Sequence, residues 1–158
     1  MAAMPPRLSP AMWPDLLLLA NLAVSLYMTG LIWFVQVVHY PLFGAVPPPD
    51  FSAYEARHQS LTTWVTAPPM LAELGLSAAY LLARPASTLV WLAAALTLLL
   101  WASTFFLQAP LHGRLSQGFE LEAWRSLVAS NWLRTFAWTL RSALLLWLLW
   151  ERMRPAHG

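Results

Sequence analysis

The sequence predicts an all-α integral membrane protein: a four-helix up-down bundle with a short surface helix in loop 1 and another in loop 3. Three observations predict it. The chain is 59% hydrophobic and only 10% charged, where soluble domains carry about 25% charged residues. Its mean hydropathy is +0.55. Predominantly apolar runs cover 16–38, 86–107 and 135–150, each near the ~20 residues that cross ~30 Å of hydrocarbon. The spans read as about 15–39, 60–83, 87–108 and 131–150, in one domain covering 1–158.

The first span opens at Pro14-Asp15, a proline and an acid at a helix start, and Pro41 is expected to end it. Arg7 precedes it, but the uncharged run 16–38 is longer than a signal peptide's apolar core and ends in QVVHYP, not in small cleavage-site residues. A retained helix is expected. PLFGAVPPPD is then a proline-rich turn, and Asp50 caps the loop-1 surface helix DFSAYEARHQSLTTWV. Pro68-Pro69 should distort the second span. Arg84-Pro85-Ala86-Ser87 is a tight break, with Ser87 capping a third span that ends at Gln108-Ala109-Pro110. The loop-3 helix is expected around 119–129, and no internal repeat or low-complexity segment is evident.

Four spans put both termini and the Arg84 turn on one side. That side carries Arg7, Arg84, Arg152 and Arg154, against Arg57, Arg114 and Arg125, with Arg134 near the boundary. The bias places the termini in the cytoplasm of a bacterial inner membrane. Trp13, Trp132 and Trp150 fall near span ends, as interfacial anchors do. Gly75, Ser77, Ala78 and Ala79 are small enough to let helices approach closely, within the bundle or in a homo-oligomer.

Composition also excludes function classes. Without cysteine, disulfides, Cys-ligated zinc, iron–sulfur clusters and thiol nucleophiles are ruled out. A formal charge of +2 gives no nucleic-acid surface, so the lipid bilayer is the expected partner.

Polar residues inside the spans carry the remaining signal. Glu73 and Arg141 lie at similar depth near mid-membrane. A charge there costs ~2.5–3.5 kcal/mol on insertion scales, so such groups face the bundle and pair. Glu73 is therefore expected to share a buried network with Arg141 or Arg134, and the plain alternative is an ion pair that only fixes helix register. At the loop-1/loop-3 boundary the first span ends in Gln36 and His39, three apart on one helical face. The third ends in Gln108 and His112; the loop-1 helix brings Tyr54, Glu55 and His58; Asn131 and Arg134 open the fourth. His157 lies in the tail and is expected to be inert.

Three readings of this convergence stand. His39, His58 and His112 supply ligands to copper, zinc, iron or haem, with Glu55 or Glu73 adding a carboxylate. Or His, Asn, Gln and Arg line a pocket for a small hydrophobic, phenolic or quinone-like ligand, with a histidine as general base. Or the imidazoles only hydrogen-bond to backbone and water.

The stretch LQAPLHGRLSQGF followed by WRSLVASNWLRTFAWTLRSALLLW resembles the C-terminal half of the anthrone-oxygenase-like family of small four-helix membrane proteins. Pro110, Leu111, His112 and Leu115, then Asn131, Trp132, Arg134 and Thr135, match its motifs. His112 stands where that family has asparagine. VQVVHYPLF, YEARH and PPMLAELG look like segments of uncharacterised bacterial membrane proteins. The resemblance implies a four-helix bundle and, for some members, oxidation of a phenolic polycyclic substrate. The function expected is thus an oxidoreductase-like or ligand-binding membrane protein. A non-enzymatic accessory protein is the alternative, and a transporter, for which four short spans leave little room, is the weakest.

Overall fold

The computed structural model describes residues 12–154. Arg7, part of the terminal charge count, and His157 lie outside the described residues. Four long helical rods make up the chain, with no strand among the described residues. They are α1 (Trp13–Ala45), α2 (Pro48–Ala83), α3 (Thr88–Leu115) and α4 (Leu121–Met153). The first three are long and apolar enough to cross a membrane. At 1.5 Å per residue each rod is roughly 40–55 Å long, well beyond ~30 Å of hydrocarbon. Each α1 and α3 neighbours both α2 and α4, closing a ring of contacts.

Large apolar side chains cover the exterior, and a polar layer is buried inside. Leu82, Trp64 and Phe106 are 82%, 78% and 78% exposed, while Asn21, Ser25, Glu73, Thr97, Arg141 and Ser142 are buried. Two apolar clusters flank that polar layer. One, around Leu18, Tyr80, Val90 and Leu145, lies toward the chain ends. The other, around Met28, Phe43, Phe51, Leu115, Leu127 and Trp138, supports the opposite end, where the histidines gather.

Pro41 and Pro110 do not end their helices, contrary to expectation. Each follows a five-residue π-turn, Val35–His39 and Thr104–Gln108. There the Tyr40 N–H reaches back to Val35 O, and the Ala109 N–H to Thr104 O. The wide turn displaces the hydrogen-bond ladder by one residue, and the proline that follows has no N–H to place in it. Helical structure then runs on to Ala45 and Leu115. The two expected surface helices are also not separate. DFSAYEARHQ is the first part of α2 and residues 121–129 are the first part of α4. α2 likewise continues through Pro68 and Pro69. In the turns before them Thr63 and Thr66 donate to the carbonyls of Gln59 and Thr62 at 2.7 and 2.9 Å.

These turns also expose a repeat that the sequence reading passes over. His39-Tyr40-Pro41-Leu42-Phe43-Gly44 corresponds to Gln108-Ala109-Pro110-Leu111-His112-Gly113, each segment beginning at the last residue of a π-turn. The two glycines are not equivalent in their surroundings. A Cβ on Gly44 would sit 3.0 Å from the Trp124 ring, whereas one on Gly113 would meet nothing within 4 Å. Trp124 is held in place by donating its indole N–H to Tyr40 O at 2.8 Å. Gly44→Ala is therefore expected to cost about 1 kcal/mol through overpacking. Gly113→Ala, which only restricts the unfolded chain, should melt at or above wild type. Thermal unfolding of the two variants in the same detergent checks the contrast.

Candidate functional site

Two hydrogen-bonded networks occupy the bundle interior. The deeper one centres on Arg141. Its guanidinium donates to Glu73 Oε1 (2.7 Å), Asn21 Oδ1 (2.8 Å), Ser77 Oγ (2.7 Å) and Thr97 Oγ1 (2.8 Å). Trp138 Nε1 donates to the other Glu73 oxygen at 2.9 Å. Ser25, Thr29 and Ser142 join their hydroxyls beside it. All four helices contribute, both charges are balanced and both Glu73 oxygens are bonded. A closed network of this kind fixes register and leaves no group to act on a ligand.

The second network lies at the end where α1 and α3 make their π-turns, and it is not closed. Glu55 and His58, at i and i+3, share one face of α2. The continuation of α3 past Pro110 brings His112 to meet them. His112 Nδ1 lies 2.6 Å from Glu55 Oε1, and Tyr40 Oη lies 2.9 Å from His112 Nε2. With Glu55 as a carboxylate, Nδ1 carries the proton and Nε2 is an acceptor, so the Tyr40 hydroxyl donates to it. A continuous relay Tyr40–His112–Glu55 results. Gln59 Nε2 donates to Glu55 Oε1 at 3.0 Å, while Glu55 Oε2, in a fully buried side chain, has no partner.

His39 Nε2 meets His58 Nδ1 at 2.8 Å, and the Thr62 hydroxyl reaches that same nitrogen at 3.1 Å. The rings of His39 and His58 are 4.7 Å apart and those of His58 and His112 5.3 Å, edge-packed on Phe43. All three boundary histidines thus form one cluster, with no space between the rings for a porphyrin. His39 Nε2 is bonded to His58 Nδ1, and the grouped carboxylate and imidazole donors are those of Glu55, His58 and His112. A donor atom from each of Glu55, His58 and His112 lies within 4.8 Å of the others.

Gln36 and His39 do not share a face. The π-turn splays them: Gln36 donates to Val128 O (3.1 Å) and accepts from Asn131 (2.9 Å), both on α4, while His39 turns to α2. Asn131 in turn accepts from Arg134 NH1 at 3.3 Å. Arg134 is buried, stacks over Trp138 at 5.1 Å, forms no salt bridge among the described residues, and leaves its Nε without a partner. Gln108 donates to Ser130 at 3.3 Å, and its Oε1 is also buried and unpartnered. Tyr54 packs on Phe43 and Phe51 instead of facing the histidines.

Arg134 and Gln108 border a cavity of about 200 Å³ between α2 and α3, whose walls include Tyr40, His58, Gln59, Thr62, Thr66 and His112. A larger depression between α3 and α4, lined by Leu96, Leu133, Phe136 and Leu140 with Thr139 its one polar residue, faces outward. Tyr40, Gln59 and the threonines are site residues that the sequence reading does not single out. The Glu55-x-x-His58 spacing and the histidine–tyrosine–proline step were the available signals.

No protein-family model, characterised protein or solved structure matches this chain.

Proposed function

We propose that the protein is a four-span up-down membrane bundle that binds a small phenolic or quinone-like ligand in the cavity between α2 and α3. The observation that carries this reading is Arg134: a buried cation with no carboxylate partner among the described residues, lining the same polar cavity as Tyr40 and His112 of the relay. An oxygen on an aromatic ring matches this wall chemically. Arg134 supplies a charge-assisted donor, Gln108 an amide, and Tyr40 a hydroxyl through which a proton can pass to His112. At about 200 Å³ the cavity is below the ~300–1,000 Å³ of typical ligand pockets, which restricts the polar end to one ring. The resemblance to the anthrone-oxygenase-like family points to the same class of ligand.

In this reading α4 is the fourth span. Its hydropathy is lowered by Arg134 and Arg141, and both are turned inward, while Leu133, Phe136, Leu140 and Trp147 face out. The termini are cytoplasmic, and on that side the Asp15–Arg152 ion pair at 2.7 Å joins the start of α1 to the end of α4. The cavity then opens at the outer boundary of the inner membrane. An accessory, non-enzymatic role is served by the deeper network alone, and it leaves Arg134 unexplained.

Calorimetric titration of the purified protein with 2,3-dimethoxy-5-methyl-1,4-benzoquinone and with its hydroquinone tests the proposal. Saturable binding is expected for at least one form. Tyr40→Phe and Arg134→Met should each weaken it ~10-fold or more, a loss of about 1.4 kcal/mol. Leu140→Ala, on the outer surface, should leave it unchanged. Binding that does not saturate, or that is indifferent to both site variants, sinks the reading.

A further inference from the structure

We propose that Glu55, His58 and His112 bind a divalent first-row transition ion. The inference rests on the donor set and not on the quinone reading, so the two can fail separately.

Two imidazoles and one carboxylate form a ligand combination that suits Zn²⁺ and Fe²⁺ and leaves coordination positions open. Their donor atoms lie within 4.8 Å of one another. Bonds of 2.0–2.1 Å to a tetrahedral ion bring such atoms to roughly 3.3 Å, a closure that side-chain rotation supplies. Glu55 and His58 come from one face of a single helix, and His112 comes from the neighbouring rod. An ion between them would tie α2 to α3.

Three further observations distinguish the cluster from histidines that merely share protons. Glu55 is fully buried, and its Oε2 has no partner. That oxygen is an unused anionic donor on the carboxylate that meets His112. Each proposed ligand also has an outer partner that orients it: His39 and Thr62 on His58 Nδ1, Tyr40 on His112 Nε2, and Gln59 on Glu55 Oε1. Outer partners of this kind hold ligand rings in place at metal sites. Finally, the His112 Nδ1···Glu55 Oε1 contact of 2.6 Å already brings two of the three ligands together. A dication on Nδ1 displaces the proton in that contact, which moves to Nε2 so that the ring stays neutral, and the Nε2–H then donates to the Tyr40 hydroxyl. The ion would then border the same cavity as Arg134.

Cobalt(II) is the probe. The full chain, carrying no polyhistidine tag, is stripped with chelator in detergent and titrated with Co²⁺ while visible d–d absorption is recorded. Zn²⁺ is then added as competitor, and retained metal is counted after gel filtration. One equivalent of Co²⁺, displaced by Zn²⁺, is expected. Glu55→Gln, His58→Gln and His112→Gln should each lower the affinity at least ~10-fold, and His39→Gln should do so through its contact to His58. Near-UV dichroism of each variant verifies that it is folded; where one is not, the wild-type stoichiometry and Glu55→Gln decide. No cobalt band in the wild type overturns the proposal, as does a band of equal strength and affinity in Glu55→Gln and His58→Gln. Quinone binding by the stripped protein, measured separately, shows that failure here leaves the ligand reading standing.

Discussion

Replacing Arg141 by methionine is expected to destabilise the bundle by about 3–5 kcal/mol, because it leaves the Glu73 carboxylate buried without its counter-charge. The side chains of Arg141 and Glu73 are 0% and 2% exposed. Arg141 is also the common donor to Asn21, Ser77 and Thr97, on α1, α2 and α3. Its loss therefore unties three helices from α4 at once. The double replacement Glu73→Met with Arg141→Met should recover much of the loss, since it removes both charges together. Equilibrium unfolding in mixed micelles at increasing SDS fraction measures both variants against wild type. If the double variant were as unstable as Arg141→Met, the charge imbalance would not be the cause, and packing at the polar layer would be.

His112→Leu is the second large effect, expected at about 3 kcal/mol in the same assay, and it acts at the other end. Leucine leaves the Tyr40 hydroxyl without its acceptor and removes the donor that His112 supplies to Glu55 Oε1, inside a fully buried carboxylate. Each stranded neutral group costs ~1–3 kcal/mol, and a charged one more. Gln59 remains on Glu55 and limits the damage. His112→Asn, the residue of the family the C-terminal half resembles, keeps a short amide that can still serve one of the two neighbours. It should lose less than half as much stability. Both variants break the relay, so both should lose quinone binding. A His112→Asn protein that binds as wild type would show that the relay is not used.

The membrane character of the chain was legible from composition, because lipid-facing surfaces require apolar residues wherever they occur. Glu73 and Arg141 were legible from depth alone. Counting from the helix starts puts them at one level, and hydrocarbon gives neither an alternative partner. The geometry at the histidine end was harder to read. Rules for proline presuppose an α-helical ladder, and two π-turns remove that premise, so Pro41 and Pro110 look like stops. Tyr40, an aromatic beside a proline at a membrane boundary, resembles an interfacial anchor until α3 is known to carry His112 past Pro110. Glu55 was noticed as a carboxylate, but its spacing to His58 acquires meaning only when both lie on one continuous helix. The Tyr-Pro-Leu-Phe-Gly and Ala-Pro-Leu-His-Gly correspondence was present throughout, hidden by the dissimilar residues before it.

The paired π-turns have a mechanical consequence. Each adds one residue beyond what an α-helix would use, and one residue corresponds to about 100° of rotation. The half of α1 or α3 that packs along the polar layer is thereby out of phase with the half that carries His39 or His112. The two halves of a rod can satisfy different neighbours without either compromising the other. A helix ordinarily imposes one stripe along its whole length; here the rod is geared, so the aim of the site is set independently of the seam that holds the bundle together.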